Sequence, residues 1–289
     1  LHPVAHSFPT RRSSDLLDPA IGTGAFFSAL LNYFLPSDIA KAEGYEIDSH
    51  YAEPSEKLWS GTKLIIHKSD FTCADPPKTN NFKFNLIVCN PPYVRHHHIS
   101  SADKLRLRQL VDSSGVKNFN GLSGLYCYFF LISNAWLADN GIAAWLVPSE
   151  FMDVNYGLPL KKYLIENVTT IRIHRFDPNK VQFNDALVSS VVIWFKKSLP
   201  AQGHKIEFTY GGNIADPDSS RLYPGSELIG ESKWTRFPLQ ETARIEEGLR
   251  LGDLFYIKRG IATGCNKFFI LTKQEIVHNK LPLECFKPI

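Results

Sequence analysis

The sequence predicts an open, doubly wound α/β sheet, mostly parallel, followed by the start of a smaller β-rich domain. Three observations carry that prediction. Short apolar runs such as "FNLIVC" (84–89) are continuous rather than alternating, which marks strands buried on both faces of a parallel sheet. Segments of helical periodicity fit between the runs, so strand and helix alternate. After about residue 200 the texture changes. "YGGNIADPDSSRLYPGSE" (210–227) is rich in Gly, Pro, Asp and Ser and reads as a loop or linker.

The elements follow in order. "LLDPAIGTGAFFSALLNYFL" (16–35) is a strand end, a glycine turn and an apolar helix. "EGYEID" (43–48) is a short second strand ending in acids, and "KLIIHKSDF" (63–71) a third with a polar end. "FNLIVCNPPY" (84–93) is the fourth. "GLYCYFFLISNAWLADNG" (124–141) has apolar residues at helical spacing, with Asn140-Gly141 as its stop. "IAAWLVPSEF" (142–151) is the next strand, and "LPLKKYLIEN" (158–167) a helix opening near a proline. "TTIRIHRF" (169–176) and "ALVSSVVIWFKK" (186–197) are two more strands. "LGDLFYIKRGIATGCNKFFIL" (251–271) reads as two strands around a glycine-containing turn. Residues 1–15 have neither helix nor strand periodicity and are read as a non-native leader. "LPLECFKPI" carries no terminating signal, so the chain reads as a fragment.

The bulk numbers narrow the classes. At 289 residues the chain can form one large domain or two smaller ones. Hydrophobic residues make up 44% and charged residues 21%, ordinary for a globular protein. The longest apolar runs are too short to span a bilayer, and no signal peptide is evident. This predicts a cytoplasmic protein without membrane association. The five cysteines are scattered, with no CxxC pair and no zinc spacing, so free thiols and no metal are expected. A net charge of +3 permits nucleic-acid binding without announcing it.

Chemistry concentrates at the strand ends. Gly22 and Gly24 lie between a strand and a helix, where glycine lets the backbone turn sharply and approach a ligand. In doubly wound sheets, ligands bind just beyond the carboxyl ends of strands. The third glycine of the dinucleotide fingerprint is absent, Phe27 standing there, so a purely structural glycine turn stays open. Glu46 ends the second strand, where a carboxylate accepts both hydroxyls of a ribose. Asp70 ends the third, placed to accept from an adenine amino group. Each acid alone is also consistent with a solvated strand end. Together they describe a nucleoside cofactor lying across the sheet edge.

"NPPY" (90–93) closes the fourth strand. Pro91 and Pro92 remove two N–H donors and force an extended path, which frees the Pro91 carbonyl and the Asn90 side-chain oxygen to face a cleft. Two adjacent acceptors suit one planar NH2. Holding both hydrogens favours a pyramidal nitrogen whose lone pair points at an electrophile. That interaction strengthens as positive charge develops on nitrogen, so it favours the transition state. Tyr93 can stack on the ring that bears the NH2.

"DPAIGTGAFF", "GYEID", "SDF" and "NPPY", in this order and spacing, resemble the S-adenosylmethionine-dependent N6-adenine DNA methyltransferases of restriction–modification systems, gamma class. The resemblance covers about residues 16–289, and "VPSEF", "QFNDALVSSVVIWF" and "RGIATGCNKFFIL" are similar to later family segments. It implies a Rossmann-like methyltransferase domain over 16–240 and a truncated target-recognition domain over 250–289. By resemblance, Asp18, Ala20, Gly22 and Gly24 line the methionine side of S-adenosylmethionine. Glu46 takes the ribose, Ile47 packs on the adenine, and Asp70 with Phe71 holds its edge. Asn90 and the Pro91 carbonyl bind N6 of a flipped adenine, with Pro92 completing the motif, while Tyr93 and Phe183 sandwich the base. The implied partners are double-stranded DNA and a restriction endonuclease, fused or separate. Ile21 stands where the family often has Cys, and residues 1–15 do not look like the family segment that precedes the first motif.

Other readings remain. An NPPY enzyme acting on ribosomal RNA or on a protein glutamine would use the same two acceptors. A non-catalytic DNA-specificity subunit would not need them, and a nicotinamide oxidoreductase would leave them unexplained. The basic stretch "RHHHISSADKLRLRQL" (95–110) reads as a DNA-phosphate contact or a solvated loop. Its three consecutive histidines lack the spacing that paired metal ligands use on a helix. "IRIHRF" (171–176) is more simply a strand with one wet face.

Overall fold

The computed structural model describes residues 14–114, 116, 119, 122–180, 189–237, 249, 251–256 and 264–287. The chain divides into two units, Leu1–Gln240 and Glu241–Ile289.

The first unit is built on one nine-stranded sheet. Its elements run β1 (Ser14–Asp18), α1 (Ala25–Leu30), β2 (Ile39–Tyr45), α2 (Ser49–Leu58), β3 (Leu64–His67) and β4 (Phe84–Cys89). Then come α3 (Ser101–Ser113), α4 (Leu125–Ile132), β5 (Leu137–Pro148), α5 (Leu158–Glu166), β6 (Thr169–Arg175), β7 (Ser190–Lys196), β8 (Lys205–Tyr210) and β9 (Ser219–Pro224). Strand order is β3-β2-β1-β4-β5-β7-β6-β8-β9. The first five neighbours are parallel, and β7 runs antiparallel between β5 and β6. The expected doubly wound, mostly parallel sheet is the observed one. Its order reverses between β1 and β4, and that switch point puts a crevice beyond their carboxyl ends.

Two apolar layers hold the sheet. One face packs Leu16, Ile21, Phe27, Ile39, Ala42, Leu64 and Leu86. The other carries the larger core around α4, in which every residue from Tyr126 to Ile132 is buried. A helix that is apolar all round belongs inside, which explains why "LYCYFFLI" shows no wet face.

Three expectations are corrected. The helix expected over 124–141 ends at Ile132, and Asn140-Gly141 lies within β5. Asn140 is left-handed (φ 64°), as a stop signal should be, but it serves a register shift between β4 and β5 rather than a helix end. The Gly- and Pro-rich stretch after 210 is not all loop, since β9 pairs antiparallel with β8 there. β9 is a polar edge strand ending in Pro224, and such strands carry a weak apolar signal. In the second unit, the described residues of 251–271 form single helical turns at Leu251–Leu254 and Asn266–Phe269 rather than two strands. Residues 257–263, the middle of that expectation, lie outside the described residues. A longer turn, Lys273–His278, follows, capped by Thr272.

The first strand starts at Ser14 and so includes the last two residues of the stretch set aside as a leader. Among the described residues, no helix is long and apolar enough to cross a membrane.

Candidate cofactor and target site

The site is assembled from the ends of β1, β2, β3 and β4. Asp18, the last residue of β1, is buried, and its Oδ1 accepts the N–H of Ala20 at 3.1 Å. Burial pushes the Asp18 carboxyl up to about 7, against the Ala20 N–H and the Cys89 thiol, which favour the carboxylate. The turn that follows needs its glycines. Gly22 and Gly24 have φ of +55° and +90°. The indole of Trp59 occupies the space a Gly24 side chain would need, and its Nε1–H donates to the Thr23 carbonyl at 2.9 Å.

Glu46 follows β2. Its Oε2 accepts the N–H of Gly22 at 3.1 Å and its Oε1 the N–H of Asp48 at 2.8 Å. The carboxylate therefore ties the glycine turn to the start of α2, whose cap is Asp48. Asp70 follows β3 and caps a short turn, Phe71–Cys73, its Oδ1 accepting from the N–H and the hydroxyl of Thr72, both at 2.8 Å. Phe71 is buried against Tyr45, Phe129 and Trp136.

These strand ends enclose a cavity of about 240 Å³. Ala20, Glu46, Ile47, Asp70 and Phe71 line it, and Asn90 and Pro92 also reach it. Of the residues predicted for the nucleoside, all four reach the cavity. Asp18, Gly22 and Gly24 shape the turn beside it without lining it. Tyr45, Ser69 and Phe129 line it too, and the sequence reading missed them. Tyr45 carried a signal, as the residue before Glu46, but Phe129 comes from α4, far away in sequence.

The NPPY residues separate in space. Asn90 is exposed, Pro91 buried, and Tyr93 half-buried with its hydroxyl donating to the Leu146 carbonyl at 3.2 Å. Burial pushes the Tyr93 phenol above its ordinary range. Tyr93 lines a second cavity, of about 340 Å³, together with Arg95, His96, Tyr126, Glu150 and Tyr156. There the Tyr156 hydroxyl donates to Glu150 at 2.9 Å. The motif thus spans two cavities, with Asn90 and Pro92 on the first and Tyr93 on the second. Phe183 lies outside the described residues. The three histidines form one helical turn with rings packed on one another, and no group of three His, Cys, Asp or Glu among the described residues is placed to hold a metal.

A profile of the Eco57I restriction-modification methylase family matches residues 28–182, more than half of the chain. The chain belongs to this family. The methylase match takes in Glu46, Ile47, Asp70, Phe71 and the whole of Asn90–Tyr93, and begins after the glycine turn. The type II methyltransferase M.AccI of Acinetobacter calcoaceticus is 26% identical over 88% of this chain and 48% of its own length. M.XamI of Xanthomonas campestris pv. amaranthicola is 25% identical over the same shares. This Eco57I-type chain therefore spans about half the length of the curated relatives it matches. Its fold is shared with the methyltransferase subunit of a type I restriction-modification system from Streptococcus thermophilus. There the TM-score is 0.60 and the identity 16%, over 78% of this chain and 53% of that one.

The first cavity fits the nucleoside end of S-adenosylmethionine. Its carboxylate Glu46 is held by two backbone N–H groups, one on each oxygen, and each oxygen keeps a lone pair that a ribose hydroxyl would use. Ile47 is 73% exposed at the cavity, an apolar surface that a flat ring would cover.

Proposed function

We propose that this chain is the catalytic portion of a restriction–modification methyltransferase. The enzyme transfers the methyl group of S-adenosylmethionine to N6 of an adenine flipped out of duplex DNA. The observation that supports this most is the division of one four-residue motif between two cavities. A hollow of about 240 Å³ lined by the carboxylates Glu46 and Asp70 reaches Asn90, and an aromatic wall lies at Tyr93. A group transferred between two planar ligands needs an acceptor at their junction and a ring to hold the second ligand.

S-adenosylmethionine, when bound, supplies an electrophilic methyl on a sulfonium. The chain's own residues do the rest. Glu46, Ile47, Asp70 and Phe71 fix the nucleoside end. Asn90 and the Pro91 carbonyl accept the two amino hydrogens of the target and direct its lone pair. Tyr93 stacks on the base, worth about 1–3 kcal/mol, and offsets part of the few kcal/mol spent in flipping it. No strong base is needed beforehand, because the proton leaves after nitrogen has become cationic. The partners on this reading are double-stranded DNA and an endonuclease, fused or separate.

The test is to offer the protein methyl-labelled cofactor with duplex DNA, RNA or protein in turn, and to digest the product. Label recovered as N6-methyladenine from DNA supports the reading. Label in RNA or in a protein glutamine instead would replace it with another NPPY chemistry.

A further inference from the structure

Arg106 lies in the basic stretch after NPPY, where the sequence places it among residues that could meet DNA phosphates. The structure turns it inward. From α3, its Nη1 donates to the Thr72 carbonyl at 2.7 Å and its Nη2 to the Thr72 hydroxyl oxygen at 3.0 Å. Nη2 is also 3.7 Å from Asp70 Oδ2 and 3.6 Å from Asp103.

The hydroxyl of Thr72 has a single proton. Because its oxygen receives the Arg106 N–H, that proton is left for Asp70 Oδ1, 2.8 Å away. The Thr72 N–H donates to the same oxygen. One carboxylate oxygen of Asp70 is thus held by two donors, while Oδ2 has only the long Cys73 thiol contact at 3.6 Å and the guanidinium at 3.7 Å, which leaves it lone-pair capacity for a further donor. A guanidinium makes this two-pronged grip through its planar fork. A lysine ammonium, a single point charge on a flexible stem, does not.

We propose that Arg106 is a positioning residue that sets the Asp70 carboxylate to receive the exocyclic amino group of the cofactor's adenine. The inference rests on the cofactor reading above. It assigns Arg106 to ligand discrimination rather than to DNA.

The experiment measures binding of two probes by calorimetry: S-adenosylhomocysteine, and its inosyl analogue, which carries a 6-oxo group in place of the amino group. Arg106→Ala and Arg106→Lys should each weaken S-adenosylhomocysteine about tenfold, the loss of one hydrogen bond to a charged group, and change the inosyl analogue less than about twofold. In an Asp70→Asn background the Arg106→Ala effect should vanish. Equal weakening of both probes would make Arg106 a merely structural support and overturn the proposal, as would full affinity in both variants. Where Arg106→Ala fails to fold, Arg106→Lys and Arg106→Gln carry the same comparison. If the unsubstituted protein binds neither probe, the cofactor reading itself fails, which the Arg106 variants alone could not show.

Discussion

The Glu46 carboxylate accepts the backbone N–H of Gly22 at 3.1 Å, 24 residues away, linking the end of β2 to the turn after β1. Its second oxygen accepts from Asp48 at 2.8 Å. Both oxygens are needed as acceptors before any ligand arrives. Glu46→Gln keeps the shape but turns an NH2 toward one of those N–H groups. It is expected to cost about 1–3 kcal/mol of stability, and to weaken S-adenosylhomocysteine at least tenfold. Urea unfolding and calorimetry on the same preparation check both effects.

The two glycines of the turn should not be equivalent. Gly22 has open space where a side chain would stand, whereas at Gly24 that space holds Trp59. Gly22→Ala should cost about 1–2 kcal/mol for the left-handed backbone alone. Gly24→Ala adds an overpacking cost of about 1–3 kcal/mol. Denaturant unfolding should therefore rank Gly24→Ala as the more damaging. The reverse ranking would mean that Trp59 is not held against the turn.

Asp18 makes stability depend on pH. Its carboxyl is pushed up to about 7 from an ordinary 3.8, chiefly by burial. Between those values the folded chain binds a proton that the unfolded chain does not. This contribution is complete below about pH 4, is lost as pH rises toward 7, and is level above it. It amounts to as much as about 4 kcal/mol. Asp18→Asn keeps the acceptor for Ala20 and removes the titration. The difference in unfolding free energy between the two proteins should slope from pH 5 to 7 and flatten by pH 8.

Much of this was legible because each parallel strand ends abruptly in a residue that cannot continue it. Asp18 and Asn90 directly follow apolar runs, Glu46 and Asp70 close strands with polar ends, and the parallel register brings those ends side by side. What was not legible depends on long-range packing. Arg106 reads as a surface base because nothing local shows that α3 faces Thr72. Tyr126, Glu150 and Tyr156 meet Tyr93 only after α4 and β5 are placed, so the second cavity left no pattern in any one segment. Asn140-Gly141 reads locally as a helix stop, because the left-handed residue that ends a helix is the same kind that an irregularity within a strand uses.

Tyr93 separates ring from hydroxyl. Its hydroxyl is engaged by the Leu146 carbonyl at 3.2 Å, so its ring is the part left for a base. Tyr93→Phe should lower stability by about 1 kcal/mol and leave methyl transfer within a few-fold of the unsubstituted protein. Tyr93→Ala should lower transfer about ten- to hundredfold through lost stacking. Steady-state kinetics on duplex DNA distinguishes the two variants. Equal losses would assign the role to the hydroxyl instead.

The most direct test of the account is Asn90→Ala, measured for methyl transfer and for S-adenosylhomocysteine binding in the same preparation. Asn90 accepts only the target's amino hydrogens on this account. Transfer should therefore fall by about a hundredfold or more while cofactor affinity stays within about threefold. Undiminished transfer, or a loss of cofactor binding as large as the loss of transfer, would contradict it.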